Sequence, residues 1–147
     1  MTSQPQKLSG EMRSNFSHLG QLDAQLVRLG VLAEKYFADD ANTSMVKIRQ
    51  FGEYLAQSVA SRIGVYTSSE EQQIALLRRL QDQGILSREV SQLFHQIRIT
   101  GNAANHAGRD DFGAALNLLK YATQLGIWFQ RTFGKADFKS GPFVPPS

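Results

Sequence analysis

Apolar residues in this chain recur every three or four positions and nowhere sustain an alternation of two. That spacing builds amphipathic helices with one buried stripe and leaves no segment suited to a half-buried strand. Five stretches carry it. The first, from Phe16, places Leu19, Leu22, Leu26, Leu29, Ala33 and Tyr36 on one stripe, and Ala38 to Asn42 stops it. Asn42 or Thr43 can cap the second, which buries Met45, Ile48, Gly52, Leu55, Val59 and Ile63 and ends near Gly64. Ser68-Ser69-Glu70-Glu71 reads as a capping box for the third, with Ile74, Leu77 and Leu80 inside and a stop at Gln83-Gly84. Ser87 caps the fourth, which runs to about His106–Gly108. Asp110 and Asp111 suit the start of the fifth, whose stripe is Leu116, Leu119, Ala122, Gly126 and Phe129, with Gly134 as its end. The expectation is an all-α protein, a compact bundle of about five helices over residues 16–134. Residues 1–15 read as a flexible arm, and 135–147, with Gly-Pro and Pro-Pro, as a linker towards a following domain.

The totals narrow the class. A length of 147 residues, 41% hydrophobic and 20% charged, suffices for one domain with a real core. There is no cysteine, which excludes disulfides and thiolate metal sites. No apolar run approaches the roughly 20 residues that span a bilayer, and the N-terminus lacks a secretory core, so a cytoplasmic protein without membrane contact is expected. The charge of +3, with a pI of about 9.4, permits contact with nucleic acid without demanding it. The basic residues are scattered, Arg78 and Arg79 being the one adjacent pair.

The fourth stretch is unusual. Val90, Leu93, Phe94, Ile97, Gly101 and Ala104 form its apolar arc, while His95, Arg98, Asn102, Asn105 and His106 form a polar one. Solvated helix faces favour Lys, Glu and Gln; two Asn and two His are poorer helix formers, so their hydrogen-bonding groups are the better reason for their presence. The second stretch repeats the layout: Arg49, two residues, Gly52, Glu53, against Arg98, two residues, Gly101, Asn102. Each glycine falls on an apolar arc, where it costs about 1 kcal/mol relative to Ala. A close crossing of the two helices offsets that, with Arg49, Glu53, Arg98, Asn102 and His106 as a polar network beside it.

Several chemistries lack their residues. There is no P-loop, no His-Glu-x-x-His or Cys/His cluster, and no Glu-x-Lys of a metal-dependent nuclease, so no cofactor or metal is expected in this segment. Arg98 and His106 remain as a candidate pair, with His106 as general acid or base and Arg98 stabilising charge on phosphorus. The structural alternative pairs Arg98 with Glu53, while Asn102 and His106 bond the backbone of the following loop.

The ordered pieces Asp39-Asp40-Ala-Asn42-Thr43, Lys47-x-Arg49-x-Phe51-Gly52-Glu53, Phe94-His95-x-x-Arg98-x-x-Gly101-Asn102-x-Ala104-x-His106 and Leu125-x-x-Trp128-Phe129 carry a resemblance. From about Phe16 onward the chain resembles the N-terminal helical domain of the restriction (R) subunit of type I restriction–modification enzymes. That resemblance implies a larger subunit with an endonuclease domain and an ATP-driven DNA translocase. It implies as partners the rest of the R subunit, the methylation and specificity subunits, and the DNA backbone. ATP, Mg²⁺ and S-adenosylmethionine would belong to that complex and not to this segment. The helical domain is in turn similar to the HEPN superfamily, several members of which are ribonucleases with an Arg and a His about four to six residues apart; here seven lie between Arg98 and His106. Three readings follow: a non-catalytic assembly or DNA-contact module, a HEPN-like metal-independent ribonuclease or toxin using Arg98 and His106, and a generic helical interaction domain of another defence protein.

Overall fold

A computed structural model describes residues 14–104 and 111–146. Among them are five α-helices: α1 Ala24–Tyr36, α2 Ala41–Arg62, α3 Gln73–Asp82, α4 Arg88–Ala104 and α5 Phe112–Phe133, with a 3₁₀ turn at Ser17–Leu19 and no strand. The expected all-α bundle is what forms. Asn105, His106 and Asp110, the end expected for α4 and residues 1–13 of the expected arm lie outside the described residues. None of the described helices is long and apolar enough to cross a membrane.

The helix starts differ from the sequence reading, and the caps say why. The first helix begins at Ala24 because the Asp23 carboxylate accepts from the Gln25 and Leu26 amides, at 3.0 and 3.4 Å; Phe16 to Leu22 make the 3₁₀ turn instead. Asp40, not Asn42 or Thr43, caps α2 by accepting from the Thr43 amide at 3.0 Å and from the Thr43 hydroxyl. Ser68–Glu71 does not cap α3: the helix starts two residues later, after Gln72, with no side-chain cap. Glu71 is drawn away by a two-oxygen ion pair with Arg79 at 2.8 and 2.9 Å. Ser87 does cap α4, its hydroxyl accepting from the Val90 amide at 3.2 Å, and Asp111 caps α5 at Ala114.

The long α2 is the centre, packed on α1, α3, α4 and α5, while α4 and α5 also pack together. Its Ile48, Phe51, Leu55, Ala56 and Val59 are fully buried against Phe16, Leu26, Phe94, Ile97, Leu119, Leu125 and Phe129. Removing this apolar surface from water supplies the main drive to fold, at about 25 cal/mol per Å². Tyr36, the last residue of α1, departs from its expected stripe and is 40% exposed. Leu76 joins Leu77 and Leu80 inside, and Leu118 joins Leu119.

Residues 135–146 run back along the bundle. Phe138 stacks on His18 with centroids 4.4 Å apart, its carbonyl accepts from Arg131 Nε at 2.8 Å, and Val144 exchanges two hydrogen bonds of 2.9 Å with the Asn15 side chain. Gln130, almost wholly buried, organises the turn: its amide donates to the His18 carbonyl and its oxygen accepts from the Lys135 amide.

Candidate functional site

The crossing of α2 and α4 is where the polar residues gather. A Cβ added at Gly101 would sit 2.8 Å from Arg49 Cβ, and one at Gly52 would sit 3.1 Å from Ile97 Cγ2. Each glycine thus receives a side chain of the other helix: the stem of Arg49 lies over Gly101, and Ile97 lies over Gly52. A side chain at Gly101 would have to displace the root of Arg49, not its flexible tip, so the guanidinium is held from its base.

From that base Arg49 reaches Glu53 Oε2 and Asn102 Oδ1, both at 3.5 Å from Nη1. Both contacts are long, and the ion-pair side chains are 26% and 38% exposed, so their contribution is a few tenths of a kcal/mol. The buried Nε of Arg49 has no partner among the described residues. Arg98 does not reach Glu53. Its Nε donates to His95 Nδ1 at 3.4 Å, which leaves His95 in the tautomer with its proton on Nε2. Burial, then the charges of Arg98 and Arg78, hold His95 below the ordinary imidazole pKa. The structure therefore brings together Arg49, Glu53 and Asn102, with Arg98 facing the same cleft and tied to His95; His106 is outside the described residues.

The cleft has a volume of about 440 Å³ and is polar. Arg49, Glu53, Arg98 and Asn102 form one wall, and the approach to α3, Ser69 to Ile74, forms the other. Gln73 closes its floor by donating from Nε2 to the Gly52 carbonyl at 3.2 Å. A second cleft, about 550 Å³ and mostly apolar, lies between His18, Thr123 and Ile127 on the bundle and Phe138 to Val144 of the returning chain. Burial lowers the His18 pKa. No group of three or more His, Asp or Glu able to hold a metal ion exists among the described residues.

Three anchoring residues escaped the sequence reading. Asp23 caps α1 and also accepts from the Tyr54 hydroxyl at 3.1 Å, tying α1 to α2; burial and that carboxylate raise the Tyr54 pKa. Glu34 accepts from Ser14 and from both the backbone and side chain of Asn15. Gln130 joins the 3₁₀ turn to the returning chain. Asp23 falls inside the stretch read as helical from Phe16, and Glu34 and Gln130 reach Asn15 and His18 across 19 and 112 residues, so spacing marked none of the three.

Over 135 residues, 91% of this chain, the sequence is 30% identical to the type I restriction enzyme EcoKI endonuclease subunit of Escherichia coli (strain K12). The match spans only 11% of that subunit's length. No solved structure matches with significance. Residues 32–131, from the middle of α1 to the end of α5 and including the α2–α4 crossing, match the family described as "Domain of unknown function (DUF4145)", and the chain belongs to that family.

Proposed function

We propose that this chain is the helical module of a type I restriction endonuclease R subunit, serving assembly or DNA contact in an ATP-dependent DNA-cleaving complex, and itself non-catalytic. The observation that carries the reading is the similarity to an endonuclease subunit along nearly the whole chain. The geometry supports it. The polar side chains at the α2–α4 crossing are spent on positioning one another: Arg49 is seated on Gly101, and Asn102 and Glu53 both face its guanidinium. The partners are the rest of the R subunit, the methylation and specificity subunits, and DNA. ATP, Mg²⁺ and S-adenosylmethionine act elsewhere in that complex.

A second reading, a HEPN-like metal-independent ribonuclease built on Arg98 and His106, draws on one feature: Arg98 is in no ion pair with a described carboxylate. Its guanidinium is therefore available to an anion.

The test of the first reading is association. The purified chain, mixed with the methylation and specificity subunits of a type I enzyme, should co-elute with them in size-exclusion chromatography at micromolar concentration. Separate elution at all concentrations, with both samples folded, contradicts an assembly role.

A further inference from the structure

The seam between α3 and α4 has a charge pattern that neither the crossing nor the core explains. The two helices lie side by side in opposite directions. Ser91 of α4 donates to Gln81 of α3 at 3.2 Å near one end, and Ile74 and Arg98 line the same cleft near the other. Between these points Arg78, four residues after Ile74 and three before Gln81, shares their face of α3, and His95, four after Ser91 and three before Arg98, shares the facing side of α4. Arg98 follows three residues along α4, about 4.5 Å further along the axis. Two ion pairs exist among the described residues, Arg49–Glu53 and Arg79–Glu71, and neither includes Arg78 or Arg98. The nearby acids Glu53 and Glu71 are thus already matched, whereas the two seam arginines are not. Glu70 is the remaining acid on the cleft and is solvent-exposed.

We propose that this seam, where Arg78 and Arg98 flank His95 and neither is in an ion pair with a described carboxylate, is a docking strip for backbone phosphates of duplex DNA. Guanidinium forks suit phosphate oxygens. Duplex DNA is the occupant because the chain is similar to a restriction endonuclease subunit; single strands, whose bases can stack on the His95 ring, are the competing outcome of the test. The choice of DNA rests on the functional reading above; the strip itself rests only on the geometry.

The test uses the full chain and a short fluorescein-labelled duplex of arbitrary sequence, followed by anisotropy between about 50 and 200 mM salt. Arg78→Gln and Arg98→Gln should each weaken binding by about threefold or more at the lower salt. Each should also reduce the slope of log affinity against log salt by about 1, equally for unrelated sequences. Lys35→Gln, exposed on α1, which packs on neither α3 nor α4, serves as the control and should leave both unchanged. Thermal melting accompanies each variant, so that loss of fold is seen separately; Arg78 is solvent-exposed and its variant tests the strip even if Arg98→Gln melts early. Seam variants that bind as the parent does, or a parent that binds single-stranded RNA more tightly than duplex, overturn the proposal. The same variants mixed with methylation and specificity subunits separate the two claims. Co-elution with unaltered DNA binding sinks the strip alone, and seam-dependent DNA binding without co-elution sinks the assembly role alone.

Discussion

Two glycines on helix faces make two different seams. Gly30, in the middle of α1, lies under Phe16; a Cβ there would fall within the contact surface of the ring, which is fully buried and packed on Phe51 with centroids 5.1 Å apart. Gly101 lies under Arg49, and there the displaced group is the root of a chain whose far end reaches an open polar cleft. The first seam seats an apolar ring and closes the core. The second uses the same close approach to aim a charge. A glycine on an apolar arc therefore reports proximity, and the residue it receives tells whether the proximity serves stability or positioning.

The sharpest way to break the comparison is to fill both seams. Gly30→Leu should destabilise the protein by about 3 kcal/mol, the upper end for overpacking, because the Phe16 ring has no free direction in which to move. Gly101→Leu should cost about 2 kcal/mol, since the partly exposed Arg49 can swing into the cleft once its root shifts. Denaturant midpoints measure both, and equal losses would erase the distinction. Asp23→Ala should come next, at about 1 kcal/mol for the lost cap, with Tyr54→Phe a smaller loss. Glu53→Gln should change stability by only a few tenths of a kcal/mol, because its ion pair is long and partly exposed.

A pH series sharpens the same contrast. His18 and His95 both have folded pKa values below the ordinary 6.5, so the unfolded chain binds protons more readily than the folded one. Stability from these two groups is complete above about 6.5 and is lost as pH falls from there through their folded values. In Arg98→Gln the His95 titration, followed by NMR, should move upward, because one of the charges holding it down is gone; His18, on the opposite side of the sequence and shifted by burial alone, should not move.

Much of this fold was legible because helical periodicity is a local property. Five stretches and most of their stripes followed from spacing alone, Tyr36 being exposed and Ile74 and Leu116 only half-buried, and the stop signals at Gly64, Gly84 and Gly134 lie just past the helix ends. The starts were less legible. Asp23, Asp40 and Gln72 are the residues before the helices, and choosing among adjacent polar residues needs the tertiary partners: Tyr54 for Asp23, and Arg79 to remove Glu71 from a capping role. The site was legible as a composition, an Asn- and His-rich face opposite a repeated Arg-x-x-Gly layout. Its pairing was not. Arg98 bonds His95 three residues back on the same helix, one of several partners its spacing allowed. That Arg78 stands across the seam from them depends on the position of α3, which no spacing within α4 encodes. Gly30 carried no such signal, because the ring it receives comes from a turn fourteen positions earlier, and a 3₁₀ turn has no long periodic pattern.

Positioning against catalysis is the central division, and one set of purified proteins tests it: the parent, Arg98→Ala and His106→Ala, each incubated with labelled RNA and labelled duplex DNA, with and without Mg²⁺ and ATP, and each melted thermally. A positioning and contact role predicts no cleavage in any tube, together with a lower melting temperature for the variants that disturb the polar face. Cleavage of RNA by the parent, lost in both variants while their melting temperatures stay at the parental value, would contradict it and assign the face to a ribonuclease.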